Sequence, residues 1–591
     1  MRFLFVPYYS FFQDTRFAPS KRSRLLARFT PLGILQLMAS LARVFSPSDD
    51  QKLIDVNGSC AETVPALLAD TIGELSRHIA GDGSGVVVGF QTIANSLDLS
   101  VHLAGQIKSA YPRAVVVLGG PGTAATAAPI MERFAWIDAV LTGEADHSIA
   151  QLYELVTGRR AAVEVTGLLW RTDTGAVVSG PPAHHVDNLD ELPLPLYAAF
   201  PDLAEVAAVG IEAGRGCPYN CSYCSSTQFF QRRYRTKSPE RIVAEVRALR
   251  SLIPVRVVHF VHDNLLANRH WMEGFCRYVG GLDAGDRFLW TCDGRLDNIP
   301  GELATQMRAA GCIRLYCGIE SGSARMHRLI GKRLDLPRAF MALAKVLDTG
   351  MELVTSFMYG FSDETPEDLE LTLERMREAA VAGAEVQFHA LAPIPGTAET
   401  RALGPRLVFD EEMRSNLVQR PGFGQMTELI AADPEVFSAH YRYPPAYFTR
   451  DDCRALEQLL VPFLLSTPWT ALLLRPYFGG SYLALLEPLR RVCAASPASG
   501  GRLPAWKLLA WIDELAPLIA DTLLYEVRHG RGGARGRVGV PDLRAAIRIR
   551  TPRGDRERWL RFDVPALIAD LRRGIAVTDE ARYLMYGRGD S

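Results

Sequence analysis

Three cysteines within one short segment are the residues of this sequence best suited to chemistry. Cys217, Cys221 and Cys224 lie in GRGCPYNCSYCSS (214–226), directly after a stretch with the pattern of a β-strand. Thiolates are the usual ligands of iron–sulfur clusters, and three of them leave one iron of a four-iron cluster open for a substrate. A zinc site would need a fourth ligand, and the nearest histidine downstream is His259. The triplet therefore indicates a cluster with one open iron, with a distantly completed zinc site or chance spacing as the alternatives.

The elements around the triplet must hold it at one end of a sheet. Six strand-like stretches alternate with helical ones such as 238–252, which opens with a serine cap and a proline in its first turn. This alternation predicts a partial (β/α)6 barrel over residues 201–400, although the pattern alone does not separate a barrel from an open sheet. The triplet would follow the first strand. The predicted strands are 206–214, 255–263, 287–295, 313–321, 353–361 and 386–393.

A second α/β block precedes the triplet, over residues 1–160. Its predicted strands are short, apolar and separated by helical stretches, which indicates a doubly wound parallel sheet. Ligands bind such sheets at the carboxyl ends of the strands, so the loops 91–96, 119–123 and 142–144 are the candidate binding segments. The strand candidates of this block are 2–7, 52–57, 86–90, 114–120 and 138–143.

The remaining segments look different from these two blocks. Residues 161–200 predict a small hairpin followed by a proline-rich linker. Strand patterns fade over residues 401–591, where apolar helical runs predict a mostly helical region and GRGGARGR (530–537) predicts a loop. The helical runs are 452–474, 480–494, 504–526 and 564–574.

Composition and charge limit the classes of function. The 591 residues carry a formal net charge of −1, with 48% hydrophobic and 22% charged residues, which is ordinary for a globular protein. Balanced charge gives no support to a nucleic-acid or anionic membrane partner. No stretch reaches the roughly 18 uninterrupted apolar residues of a membrane span, and Pro7 interrupts the short apolar start, which argues against a secretory signal. We therefore expect a cytoplasmic protein without a nucleic-acid or membrane partner.

The triplet, the aromatic Tyr223 before its last cysteine and its position after a strand resemble the radical S-adenosylmethionine (SAM) superfamily. The resemblance implies a 4Fe–4S cluster whose open iron is chelated by SAM, and reductive cleavage of SAM to a 5′-deoxyadenosyl radical. Later segments match in order: VHDNLL (261–266), GRLD (294–297), GCIRLYCGIESGS (311–323) and SFMYGFSDET (356–365). The residues that the resemblance places near the cluster or SAM are Tyr223, Arg235, Asp263, Arg295, Glu320, Ser321 and Gly360.

The N-terminal block resembles the cobalamin-binding domain of the cobalamin-dependent radical SAM enzymes. Matching segments include VVVGFQTIANS (86–96), VVVLGGPGTAAT (115–126) and DAVLTGEAD (138–146). The motif D-x-H-x-x-G, whose histidine binds cobalt in other cobalamin domains, is absent, as is usual in this group. An α/β domain that binds nothing is the alternative. The residues that the resemblance places at cobalamin are Thr92, Ser96, Gly119, Gly120, Gly122, Gly143 and Glu144.

The resemblance implies a cobalamin-dependent methyltransferase that acts on a carbon of a small secondary metabolite or a peptide, through methylcobalamin and the deoxyadenosyl radical. A flavodoxin or ferredoxin would supply electrons. Few acid–base groups are expected, and Tyr316, His389 and Tyr359 are the candidates.

Several other activities are compatible with parts of this pattern. A cobalamin-dependent cyclase or rearrangement enzyme, and non-radical methyl transfer to an aromatic carbon, share these motifs and stay open. A methylthiotransferase is disfavoured because only Cys60 precedes the triplet. A cobalamin-binding sensor is disfavoured by the intact cluster motif.

Overall fold

The computed structural model describes residues 1–7, 29–55, 57, 63–410, 423–494, 505–516, 519–520, 522–523, 525–526, 547–551, 554–558, 564 and 567–568. Two mainly parallel sheets follow one another along the chain, and a largely helical region comes after them. The predicted α/β class with a helical C-terminal region is thereby confirmed. Cys60, the loop at 530–537 and most of the predicted helix at 564–574 lie outside the described residues.

The first sheet has the strand order β2-β1-β3-β4-β5-β6-β7. Its first five strands are parallel and buried on both faces, except for the partly exposed edge strand β2. The predicted hairpin is not a separate unit, because β6 pairs antiparallel with β5 and extends the sheet. The strands are β1 Arg2–Val6, β2 Asp50–Leu53, β3 Val86–Gln91, β4 Val115–Gly119, β5 Ala139–Leu141, β6 Leu168–Arg171 and β7 Val177–Ser179. The helices are α1 Leu32–Ala42, α2 Val64–Ser76, α3 Leu97–Ala110, α4 Ala127–Arg133 and α5 Ser148–Val156.

The second sheet is a six-stranded parallel array in the order β8-β11-β12-β13-β14-β15, and its two edge strands do not pair with each other. This is the predicted partial barrel. Two short strands, β9 Gly214–Arg215 and β10 Arg235–Thr236, pair antiparallel beside it. The barrel strands are β8 Val209–Glu212, β11 Val257–Val261, β12 Leu289–Gly294, β13 Cys312–Glu320, β14 Glu352–Tyr359 and β15 Glu385–Ala390. The helices are α6 Ser226–Phe229, α7 Pro239–Arg250, α8 Arg269–Gly280, α9 Gly301–Ala309, α10 Ala324–Leu329, α11 Leu336–Asp348 and α12 Pro366–Ala382.

The C-terminal region packs against both sheets. Val436, Phe437 and Tyr441 complete the core on one face of the first sheet, whereas helices from Arg450 onward join the larger core that includes the barrel. A small hairpin of β16 Ile547–Thr551 and β17 Gly554–Arg558 adds strands that the sequence pattern did not predict. The helices are α13 Ala398–Leu403, α14 Thr427–Ala432, α15 Pro434–Phe437, α16 Arg450–Ala455, a π-helix at Leu456–Leu460, α17 Val461–Ser466, α18 Pro468–Leu474, α19 Leu486–Ala494 and α20 Ala505–Leu515.

Side-chain caps explain where the barrel helices begin. Ser238 accepts a hydrogen bond from the Arg241 amide at the start of α7, as its sequence predicts. Thr365 and Asp368 form a capping box at the start of α12. Among the described helices none is by itself long and apolar enough to span a membrane. The consecutive stretches Arg450–Ser466 and Pro468–Phe478 meet that criterion only together, across a bend of 104°.

Candidate functional site

The cysteine loop leaves the carboxyl end of β8 and returns at β10. Gly216, at φ +81°, turns the chain where a Cβ would lie 2.0 Å from the Arg233 carbonyl oxygen. Asp263 accepts hydrogen bonds from the Gly216 amide at 2.9 Å and from the Ser226 hydroxyl. The predicted residue Asp263 therefore holds both ends of the cysteine segment, and its neighbour Asn264 lies 4.0 Å from the Cys217 sulfur.

A second loop, Ile330–Arg333, supports the other side of the cysteine loop. The Ser222 amide donates to the Ile330 carbonyl at 2.8 Å. Gly331, at φ +69°, packs so closely that a Cβ there would lie 2.5 Å from the Asn220 carbonyl oxygen. The cysteine loop is thus held on both sides by backbone contacts, which suits a preorganised ligand set.

The environment of the triplet fits thiolate ligands that are delivered to a metal. Burial raises the pKa of Cys217 to about 11 and also raises the pKa of Cys224, so the metal-free thiols are neutral and metal binding must displace their protons. No group of three or more His, Cys, Asp or Glu side chains in the described chain is arranged for a single metal ion.

A lysine that the sequence analysis missed connects two of the predicted SAM residues. Lys332 Nζ lies 2.8 Å from Glu320 Oε1 and donates to the Tyr223 hydroxyl at 3.4 Å. Glu320 has φ +71°, which is rare for a side chain other than glycine and marks a constrained position at the end of β13. The only signal in the sequence was the glycine-containing turn before Lys332.

Three other predicted SAM residues have structural partners. The Arg295 guanidinium binds the Asp297 carboxylate at 2.8 Å and lies 3.9 Å from the centre of the Tyr219 ring. Ser321 is fully buried, and its hydroxyl lies 3.2 Å from that of Thr372. Gly360, at φ +88°, donates its amide to Glu364 at 2.7 Å. Contact of Arg295, Ser321 and Gly360 with SAM stays a prediction.

The concave face of the barrel carries a polar set that contains both predicted catalytic residues. The strand register places Asp293 beside Tyr316 and His389 beside Met358, on the face opposite the buried apolar side chains. The carboxylate of Asp293 lies 4.0 Å from His259 Nε2 within this concave face. Burial raises the pKa of Asp293 to about 7, raises that of Tyr316 to about 12 and lowers that of His389.

Sequence reasoning named Tyr316 and His389 but did not name His259 and Asp293, which lie on the same face; a catalytic role for Tyr316 and His389 stays a prediction. Their alternation along neighbouring strands was the available signal, since successive strand residues face opposite sides of a sheet. Tyr359, the third catalytic candidate, is only 2% exposed and donates its hydroxyl to Glu457 at 2.7 Å. It is therefore engaged away from the open face.

A second site lies at the carboxyl edge of the first sheet, as a cavity of about 200 Å³. Its lining includes the predicted residues Gly119, Gly120, Gly143 and Glu144. Gly120 has φ +100°, and a Cβ there would lie 2.8 Å from the Thr92 carbonyl oxygen. At Gly122 a Cβ would lie 2.7 Å from the Ile93 backbone, so these glycines allow two loops to meet.

Two residues that the resemblance places near the corrin face have no exposed surface in this structure, and their contact with cobalamin stays a prediction. Thr92 and Ser96 are fully buried, and the Thr92 hydroxyl donates to the Gly119 carbonyl at 2.9 Å. Contact with a bound ligand at this loop would therefore involve its backbone or other side chains. No histidine is among the described residues that line this cavity.

The predicted pair Arg235 and Glu144 lie against each other rather than at separate ligands. Arg235 Nη2 is 2.5 Å from Glu144 Oε1, and Arg215 Nη1 is 3.0 Å from Glu144 Oε2. Burial raises the pKa of Glu144, but the hydrogen bond from Arg235 and the charge of Arg215 outweigh it and lower the pKa to about 2. Glu144 is therefore ionised and fully engaged by the protein.

Comparison with known proteins agrees with this geometry. The model of the radical SAM superfamily matches residues 211–376, which contain the cysteine loop and the strands β11 to β14. This part of the chain is therefore similar to the radical SAM superfamily. A radical SAM domain implies a 4Fe–4S cluster and SAM as the cofactors of residues 211–376.

Two relatives of this chain are named for different activities, a methyltransferase and a cyclase. An uncharacterised methyltransferase of Pyrococcus horikoshii is 29% identical over 374 residues, which cover 62% of this chain and 77% of the relative. The anaerobic magnesium-protoporphyrin IX monomethyl ester cyclase of Rubrivivax gelatinosus is 26% identical over 283 residues, covering 46% of this chain and only 50% of the cyclase. The chain thus spans most of the first relative and half of the second.

A solved structure shows the same arrangement of domains. The cobalamin-dependent SAM radical enzyme OxsB, determined with aqua-cobalamin and SAM bound, superposes with a TM-score of 0.56 over 98% of this chain and 82% of its own. Sequence identity is 13%, so this likeness concerns the fold. The fold of this chain is therefore similar to that of OxsB.

Proposed function

We propose that this chain is a cobalamin-dependent radical SAM methyltransferase that methylates a carbon of a small secondary metabolite or peptide. The observation that carries the proposal is the junction of the two sites. Phe229 and Phe230, directly after the cysteine loop, line the cavity of the first sheet together with Arg215, directly before it. A corrinoid in that cavity and a cluster on the three cysteines would face one gap.

The junction is closed by a third segment. The Gln228 side chain donates to the Gly396 carbonyl, and a Cβ on Gly396 would lie 2.3 Å from the Ala125 Cβ of the first domain. Loops from both sheets and the cysteine loop therefore meet with no space between them at this point. Such contact fixes the distance between two cofactors, which a transfer reaction between them needs.

Each cofactor has a set of residues that fits it. When bound, the cluster would supply the electron that cleaves SAM, and cobalamin would carry the methyl group. Cys217, Cys221 and Cys224 would hold the cluster, and Lys332, Glu320 and Tyr223 would line the SAM side. The glycine loops at 119–122 and 143 would hold the corrinoid by close backbone approach.

The barrel face supports a substrate that forms hydrogen bonds. Asp293, His259, Tyr316 and His389 present donors and acceptors inside the barrel, and His389 Nδ1 has no hydrogen-bond partner among the described residues. A polar set of this kind binds polar groups at the least cost in desolvation. We therefore favour a polar metabolite or a peptide over an apolar lipid as the substrate.

Reductive cleavage of SAM consumes an electron, and a flavodoxin or ferredoxin is the proposed source of that electron. Location in the cytoplasm, and the absence of nucleic-acid and membrane partners, stay predictions. A cyclase or rearrangement activity is the second candidate, supported by the cyclase relative, but that resemblance covers less of the chain than the methyltransferase relative does.

Reconstitution tests the proposal directly. The full chain is loaded with iron, sulfide and hydroxocobalamin, then incubated with SAM and a reductant. We expect spectra of both cofactors and formation of both 5′-deoxyadenosine and S-adenosylhomocysteine, with neither the cluster nor deoxyadenosine in Cys217→Ala. Deoxyadenosine alone would indicate rearrangement, and S-adenosylhomocysteine alone would indicate non-radical methylation. A protein that retains no cobalamin would overturn the proposal.

A further inference from the structure

A buried group of charges joins the two cofactor sites, and we name it the Arg215 cluster. It comprises Glu144 and Asp146 from the loop after β5, and Glu212, Arg215 and Arg235 from the strands that flank the cysteine loop. Arg215 binds Asp146 through two nitrogens, at 2.7 and 3.1 Å, and binds Glu212 at 2.7 Å. One guanidinium therefore holds carboxylates from both domains.

The members of the Arg215 cluster are almost removed from solvent. The side chains of Glu144, Asp146 and Arg215 are 2%, 5% and 9% exposed. Buried ion pairs depend strongly on geometry, because a displaced partner leaves an uncompensated charge in a poorly solvated place. Neither loop can shift by itself without exposing or unpairing a charge.

The position of the Arg215 cluster gives it a role beyond stability. Glu144 follows Gly143, which lines the corrinoid cavity, and Arg215 stands two residues before Cys217. The loop after β5 is also held by His185, whose Nδ1 lies 3.0 Å from Glu144 Oε1. Ordering of either loop by its cofactor is therefore transmitted to the other loop.

We propose that the Arg215 cluster is a positioning device that couples the occupancy of the two cofactor sites, so that the cluster-loaded protein binds cobalamin more tightly than the cluster-free protein. Coupling of this kind is reciprocal, and typical cases change an affinity by about 5- to 150-fold. The inference rests on the proposed function, because it requires cobalamin in the cavity of the first sheet.

A cycle of binding measurements tests this coupling. Hydroxocobalamin is titrated into the reconstituted full chain and into a cluster-free form with all three cysteines changed to alanine, and the two dissociation constants are compared by the absorbance of the bound corrinoid. We expect at least about 5-fold tighter binding to the cluster-loaded form. In Arg215→Met the ratio should fall to about 1, whereas a general loss of stability would weaken both forms equally.

Matched variants keep the test decisive. Arg269→Met removes an exposed ion pair with Glu273 and should keep the wild-type ratio. Asp146→Asn removes one charge from the Arg215 cluster and should partly lower the ratio of the two dissociation constants. It takes the place of Arg215→Met in the test if Arg215→Met does not fold. A wild-type ratio of 1, or an unchanged ratio in the Arg215 and Asp146 variants, would overturn the coupling. No binding of hydroxocobalamin to any form would instead overturn the proposed function, and the coupling with it.

Discussion

Buried carboxylates in this protein differ according to the cations that reach them. Glu144 meets two arginines, which lower its pKa to about 2. Glu364 is equally buried, but among the described residues it accepts only from the Gly360 amide and the Tyr447 hydroxyl, and burial raises its pKa to about 8. At neutral pH the first is charged and the second is neutral, although the sequence gives both the same residue type.

Glu364→Gln should therefore change how stability depends on pH. Because the folded state holds the Glu364 proton up to about pH 8 and the unfolded chain loses it near 4.5, wild-type stability falls as pH rises through that window, by at most about 1.4 kcal/mol per unit. Glutamine cannot ionise, so the variant should lack this part of the slope. Urea unfolding at pH 6 and pH 8 measures it. The exposed Glu367→Gln should retain the wild-type slope, and equal slopes in all three proteins would contradict the prediction.

Sequence reasoning worked well for residues that share one short segment and poorly for those joined by folding. The cysteine triplet was evident from spacing. The contact of Glu144 with Arg235 spans 91 positions, so the two were expected at different cofactors. Lys332 and Asp293 were missed because each is meaningful only beside a residue from another strand or loop.

At the scale of elements, glycines at positive φ mark where loops approach closely. Gly331 and Gly350 have similar backbone angles, φ +69° and +80°, but only Gly331 has an atom close to its absent Cβ. Alanine at either position incurs a backbone cost of about 1–2 kcal/mol. Comparing alanine at Gly331 with alanine at Gly350 therefore separates the effect of a steric clash from the effect of backbone strain.

Gly331→Ala should lower the iron content after reconstitution, because its methyl group would displace the Asn220 carbonyl and with it the cysteine loop. Gly350→Ala carries the same backbone strain in open space and should load the full complement of iron. Iron per chain and the visible absorbance of the cluster are the measurements. Full loading of Gly331→Ala would show that this turn does not shape the cysteine loop.

The glycine loop of the first sheet allows a parallel experiment. Gly120→Ala should weaken hydroxocobalamin binding, since its Cβ would lie 2.8 Å from the Thr92 carbonyl and push the two loops apart. Gly158→Ala, also in the first domain and at φ +75°, has no neighbour within 4 Å and should bind normally. Absorbance titration measures the dissociation constants. If both variants bind hydroxocobalamin as tightly as the wild type, the glycine loop does not shape the cavity.

The sequence predicted the strands that are continuous apolar runs, but it did not predict which strands pair with one another. All six barrel strands and the strands of the first sheet follow from their apolar patterns, with β2 shifted to Asp50–Leu53. The sequence predicted a small hairpin within residues 161–200, but it did not predict that β6 pairs with the edge strand β5. Its pairing with β5 is a tertiary event that the local pattern does not contain.

At the scale of the whole molecule, the C-terminal region joins the two sheets. Phe437 is fully buried and its ring centre lies 6.0 Å from that of Phe134 in the first domain. Arg133 of α4 also pairs with Asp433 and Glu435. The predicted division of the chain at 160, 200 and 400 stays a prediction, and residues 423–441 complete a core that begins at the N-terminus.

Phe437→Ala should destabilise the first domain, at a cost of about 3–5 kcal/mol for a buried aromatic side chain. Hydrogen exchange should quicken in α3 Leu97–Ala110, which shares that core. Tyr477→Ala, at a side chain that is 50% exposed, should leave exchange in α3 unchanged. Faster exchange confined to residues after 423 would show that the two parts are independent.

The same packing has a consequence for biosynthesis. A ribosome releases the first domain long before it has translated residues 423–441, so the emerging chain exposes the apolar surface that Phe437 and its neighbours later cover. We expect chaperones to shield that surface until residues 423–441 have been made. The cavity at the edge of the first sheet should reach its final form only after most of the chain has been translated, so the proposed corrinoid would be loaded late in the synthesis of each molecule.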